Sequence, residues 1–131
     1  MMTTDSIADM IIRIKNALAA GHSEVVIPHS KLKAAIAEIL VRENYVSKTE
    51  SLEMKPQNQI KLKLRYEGSL PAISGVKRAS KPGRRLYVSV NKIPVTLDGY
   101  GITLLSTNQG ILTDKEARLK NVGGEIICQI W

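Results

Sequence analysis

The stretch Q-I-K-L-K-L-R-Y, Gln59 to Tyr66, alternates apolar and basic residues without a break. A period of two puts Ile60, Leu62 and Leu64 on one face of a strand and Lys61, Lys63 and Arg65 on the other. Such a strand needs a cover for its apolar side, and the residues before it supply one. Ile7, Met10, Ile11, Ile14 and Leu18 recur at the spacing of a helix face, with Thr4 or Asp5 as cap and Gly21 as a left-handed stop. Ser30 caps a second helix reaching about Glu43, with Leu32, Ile36, Ile39 and Leu40 inward and Asn44 as its stop. Glu24 to Pro28 and Tyr45 to Met54 read as further strands, the first ended early or held at an edge by Pro28. Lys55 to Asn58 has turn chemistry. The order α-β-α-β-β predicts two helices packed on one sheet face, with the basic stripe exposed as a secondary contact surface.

Gly68 to Pro71 reads as a linker, which divides the chain into lobes 1–68 and 69–131. In the second lobe, Lys81-Pro82-Gly83-Arg84 has the pattern of a tight turn and Asp98-Gly99-Tyr100-Gly101 of another. Ile102 to Leu105 is an apolar strand, and Glu125 to Trp131 a final one. Thr113-Asp114-Lys115-Glu116 is a T-x-x-E capping box that opens a short helix. The expected class is α/β of the α+β type, with the second lobe mainly β.

Charge is unevenly spread. Residues 1–68 hold ten Lys/Arg against eight Asp/Glu, and residues 69–131 hold nine against four. No acid occurs between Glu67 and Asp98, where Lys77, Arg78, Lys81, Arg84, Arg85 and Lys92 fall. A one-sided basic field suits a polyanion. It equally suits a solvated surface or an acidic protein partner. With one Trp, four Tyr and no Phe, the core is expected to be aliphatic. A row of rings stacking on bases is not expected. A single cysteine, Cys128, fits a reducing compartment. The first residues show no signal-peptide pattern and no run approaches the ~20 apolar residues of a membrane span. A soluble intracellular protein is expected.

The stretch S-T-N-Q-G, Ser106 to Gly110, raises a sharper question. Ser106 reads as ending a strand ahead of a helix, superficially like a nucleophile elbow. The elbow's flanking glycines are replaced by Leu104 and Asn108, and no His follows to act as base. A phosphate loop is excluded too, because the capping box already satisfies the helix amides and Asp114 would repel an anion. His22 and His29 lack partners at metal-ligand spacing, so neither a metal nor a catalytic residue is expected. Ser106, Thr107, Asn108 and Gln109 can still donate and accept hydrogen bonds at fixed positions, as RNA base edges and 2′-hydroxyls require. Gly110 allows a sharp bend, and Gly123 and Gly124 could admit a ligand backbone from a neighbouring loop. An exposed turn and a ligand-reading loop both remain open on local chemistry.

Several blocks together resemble one family. D-S-I-A-D-M-I-I-R-I-K-N-A (Asp5 to Ala17), I-P-H-S-K-L-K (Ile27 to Lys33) and I-S-G-V-K-R-A-S-K-P-G-R-R-L-Y (Ile73 to Tyr87) are similar to the bacterial-type small-subunit ribosomal proteins of the S-eight family. So are the block Gly99 to Arg118, then V-G-G-E-I-I-C and Trp131. The resemblance implies a two-lobed, non-catalytic protein without a cofactor, binding the central domain of small-subunit ribosomal RNA during assembly. It implies that Ser106, Thr107, Asn108 and Gly110, with Gly123, Gly124 and Glu125, form the recognition surface. Lys55, Lys77, Arg78, Lys81, Arg84 and Arg85 would contact the RNA backbone. Neighbouring small-subunit proteins and the chain's own operon mRNA are implied as partners, with no membrane. The implied location is the ribosome, in a bacterial cytoplasm or a plastid. The family's loop commonly reads Ser-Thr-Ser, a basic residue, then Gly. Asn108 and Gln109 depart from it, so altered detail and a weaker phosphate contact at Gln109 are expected.

Overall fold

The computed structural model describes residues 6–79, 83–94 and 101–131. They form two compact units, Ser6–Ile73 and 74–131.

In the first unit, helix α1 (Ser6–Ala19) leads to β1 (Glu24–Pro28), α2 (Lys31–Arg42), β2 (Val46–Leu52) and β3 (Gln59–Leu64). The sheet is antiparallel in the order β1-β3-β2. The strand whose alternation was clearest is therefore the central one. Ile60, Leu62 and Leu64 are buried, with Ile27 of β1, Val46 of β2, Met10 and Ile14 of α1, and Ile36 and Leu40 of α2. Gly21 (φ 73) and Asn44 (φ 64) end the two helices in the left-handed region, and the Ser30 hydroxyl accepts from the Lys33 amide at 3.1 Å. The cap assigned to Thr4 or Asp5 lies outside the described residues. Lys33 is an unexpected core residue at 5 % exposure. Burial pulls its ammonium below the usual lysine pKa, partly opposed by the charge of Asp9.

The outer face of this sheet differs from the expected cationic stripe. Lys61 is paired with Glu24 at 2.9 Å and Lys48 with Glu50 at 2.7 Å. The Glu24 bond raises the Lys61 pKa, and the Lys48 bond lowers that of Glu50. Glu24 on β1, distant in sequence, thus balances one of the cations that β3 alone suggested, and Glu50 answers the further cation Lys48 of β2.

Gly68 to Pro71, expected as a linker, is the turn and return strand of a small ribbon, β4 (Tyr66–Glu67) with β5 (Leu70–Pro71). Gly68 at φ 63 makes the turn possible.

The second unit contains β6 (Val76–Arg78), β7 (Tyr87–Val88), a 3-10 turn (Val90–Lys92), β8 (Ile102–Thr107), β9 (Gly110–Thr113), α3 (Asp114–Leu119) and β10 (Gly124–Ile130). The sheet order is β6-β10-β8-β9, with β7 also paired to β10. Ile93, Leu105, Leu112, Ala117 and Ile126 form its aliphatic core. The Thr113–Glu116 capping box is present in both directions, at 3.2 Å each. Strand β9 was not expected, and it changes the place of Ser106: a second strand, not a helix, follows it. The turn read at Lys81-Pro82-Gly83-Arg84 lies partly, and that at Asp98 to Gly101 mostly, outside the described residues.

Candidate nucleic-acid interface

Strands β8 and β9 form a tight hairpin. Ser106 lies opposite Ile111 and Thr107 opposite Gly110, so Asn108 and Gln109 are the whole turn. The Thr107 hydroxyl donates to the Gly110 carbonyl at 2.8 Å and accepts from the Gln109 amide at 3.1 Å. Its oxygen therefore shapes the turn itself. Gly110 adopts φ 104, a conformation that disfavours any side chain. Asn108 and Gln109 are exposed, and Ser106 and Thr107 are half-buried.

Glu125 is the next component. It pairs with Ser106 of β8 on one side and Tyr87 of β7 on the other. Residues directly opposite in antiparallel strands share a face, so Tyr87, Glu125 and Ser106 form one polar row across three strands. Arg85 donates to the Glu125 carboxylate at 3.1 Å. Tyr87 was not expected in the site, yet the residue is 72 % exposed. The alternation of Arg85 and Tyr87 with Leu86 and Val88 was the available signal.

Gly123 and Gly124 have a reason other than ligand access. A Cβ on Gly124 would collide with the Ser106 carbonyl and stand 3.0 Å from Thr107 Cγ2. One on Gly123 would collide with the Val88 carbonyl and stand 2.9 Å from Ser89 Cα. The space is filled by the protein's own neighbouring strands.

Among the basic residues, Lys77, Arg84 and Arg85 are exposed. Arg78 is half-buried and its guanidinium donates to the Ile127 carbonyl. Lys81 lies outside the described residues. Lys55 belongs to the first unit, where with Glu53, Met54 and Asn58 it lines an open cleft of about 380 Å³.

The remaining reactive groups are inert or dispersed. Both histidines lie in the first unit, apart in sequence from Ser106. No group of three or more metal-binding side chains occurs among the described residues. Burial pushes the Cys128 thiol up to about 12, opposed in part by the Arg78 charge. The thiol's contribution to stability is complete below its ordinary value of 9.0 and is lost as pH rises toward 12. Iodoacetamide at pH 8 should leave the native thiol unmodified and label it in denaturant, as mass spectrometry would read; rapid native labelling would contradict this burial.

The sheet end gathers a polar turn, the Glu125 carboxylate, exposed Tyr87 and Arg85 on a basic α+β protein. The family model described as "Ribosomal protein S8" matches residues 5–131. The "Small ribosomal subunit protein uS8" of Dictyoglomus turgidum is 53% identical over 131 residues, covering 100% of both chains. That of Persephonella marina is 54% identical over 136 residues, covering 99% of this chain and 100% of its own. That of Mycoplasmopsis pulmonis is 50% identical over 128 residues, covering 98% and 97%. The chain belongs to the ribosomal protein S8 family.

Proposed function

We propose that the protein is a structural constituent of the small ribosomal subunit, not an enzyme, and that it binds the central domain of small-subunit ribosomal RNA. The observation that carries the binding mode is the register of Glu125 with Ser106 beside an exposed two-residue turn. The row offers a hydroxyl, a carboxylate and, at Asn108, an amide. These groups suit unpaired bases and sugar hydroxyls rather than the uniform backbone of a duplex. A carboxylate repels phosphate, so Glu125 favours an exocyclic amine or a 2′-hydroxyl. Tyr87 offers a single ring on which a splayed base can stack. Lys77, Arg84 and Arg85 supply the positive field of the second unit, Lys81 is assigned to the same task, and Lys55 is assigned a backbone contact of its own in the first unit. Gly110, Gly123 and Gly124 contribute by holding the backbone in place. Neighbouring small-subunit proteins are its other partners, and an operon mRNA of like shape would use the same face. Its location is then the ribosome of a bacterial cytoplasm.

The test is affinity for a central-domain rRNA fragment and for an unrelated duplex of equal length. Ser106→Ala and Asn108→Ala should each weaken the fragment by about 1–2 kcal/mol and leave the duplex unchanged. Arg84→Gln with Arg85→Gln should weaken both RNAs and flatten the salt dependence by about one to two units. Equal losses on both RNAs from the loop variants would remove the loop's role in selection.

A further inference from the structure

We propose that Arg78 is a positioning residue for RNA recognition, acting through a β-bulge at Ile127 and not through a phosphate. The role rests on the recognition surface proposed above. In the ladder between β10 and β8, Ile130 faces Ile102, Gln129 faces Thr103 and Cys128 faces Leu104 in regular step. The step then breaks. Ile126 faces Leu105 and Glu125 faces Ser106, leaving Ile127 as one extra residue on β10.

Continuing the regular step, with Ile127 paired to Leu105 and no bulge, would set Ile126 opposite Ser106 and Glu125 opposite Thr107. Because side chains alternate, a one-residue slip exchanges the faces of everything beyond it. Ile126, now 7 % exposed in the core, would turn onto the polar row. Glu125 would turn away from it. The bulge is what brings the carboxylate beside the serine.

An inserted residue needs its backbone held, since it falls out of the regular ladder. The Ile127 carbonyl is held from the other side of β10, by the end of β6. It accepts from the Ala79 amide at 3.1 Å and from the Arg78 guanidinium. Arg78 itself is the register partner of Cys128, next to the bulge. A planar guanidinium on a part-buried carbonyl fixes direction as well as charge. Exposed Lys77, one residue earlier, has no such bond among those described and suits the phosphate role instead.

The experiment uses the full chain with Arg78→Met, Arg78→Lys and Lys77→Met, each titrated with the rRNA fragment and the duplex over a range of salt. For Arg78→Met the fragment affinity should fall roughly tenfold, duplex affinity should hold, and the salt slope should match the parent. Lys77→Met should lower both affinities and the slope. Arg78→Lys keeps the charge but not the fork, so it should still lose preference for the fragment. It also serves if the methionine variant does not fold. Cross-strand nuclear Overhauser contacts between the Glu125 and Ser106 strands should weaken in Arg78→Lys. Unchanged fragment preference in both Arg78 variants overturns the role, as does an equal loss on both RNAs with a slope lower by about one. A parent protein that binds fragment and duplex equally overturns the recognition surface itself, a distinct result.

Discussion

Gly124→Ala is expected to destabilise the second unit by about 3 kcal/mol, and to abolish fragment binding with it. The added methyl group meets the Ser106 carbonyl, which belongs to the backbone of the adjacent strand and cannot rotate aside. Relief requires β8 and β10 to separate at the point where Glu125 and Ser106 pair. Overpacking ordinarily costs about 1–3 kcal/mol when side chains can adjust; a strand carbonyl places this case at the upper end. Gly110→Ala is the informative contrast. Its Cβ would meet nothing within 4 Å, but its φ is 104, so the loss is one of backbone strain alone, about 1 kcal/mol. Urea unfolding of both variants measures the difference. A Gly124→Ala midpoint equal to that of the parent would refute the close strand contact.

Asp114→Ala should cost about 3 kcal/mol for a different reason. Asp114 is 2 % exposed and its carboxylate joins three parts of the second unit. It accepts from the Thr103 backbone amide at 3.4 Å and from Arg118 at 3.2 Å. Arg118 in turn donates to the Ile93 carbonyl at 3.2 Å. Truncation removes the carboxylate bond from a buried strand amide and the counter-charge from the Arg118 cation. Arg118 retains access to water, which limits the penalty. Asp114→Asn keeps an acceptor for Thr103 and should lose about half as much. The readout is the urea midpoint at neutral pH, and a loss below about 1 kcal/mol for the alanine variant would show the network to be dispensable.

These two positions also show what a sequence discloses. The capping box at Thr113 and Glu116 was legible because donor and acceptor lie three residues apart. The helices and β3 were legible because periodicity is local. Gly124 suggested freedom of the backbone, and the structure adds a second reason for it, a carbonyl eighteen positions earlier in the chain. Strand β9 was hidden because G-I-L-T is short and its last residue doubles as a helix cap. The bulge at Ile127 had no local trace: I-I-C-Q-I is apolar enough to satisfy either face. The polar loop was visible in composition, but its carboxylate and ring come from strands paired with it across the sheet.

The same limit explains the basic residues. Counting charges gave Arg78 and Arg85 equal standing with Lys77 and Arg84, and left Lys61 in a secondary stripe. Pairing separates them: Lys61 meets Glu24 and Arg78 holds a backbone carbonyl, whereas Arg85 meets Glu125 through a side chain that stays 47% exposed and still adds to the field. Net charge is a property of composition, whereas available charge depends on the fold.

The two-residue turn of the β8–β9 hairpin has an evolutionary consequence. Thr107 and Gly110, on either side of it, are tied to the backbone by a hydroxyl bridge and a special φ. Asn108 and Gln109 stand outside that framework, exposed at its tip. Mutation can therefore explore these two positions while the scaffold stays intact, retuning which nucleotides are preferred without a folding penalty. A library randomised at only those two codons should yield mostly folded proteins with divergent RNA preferences.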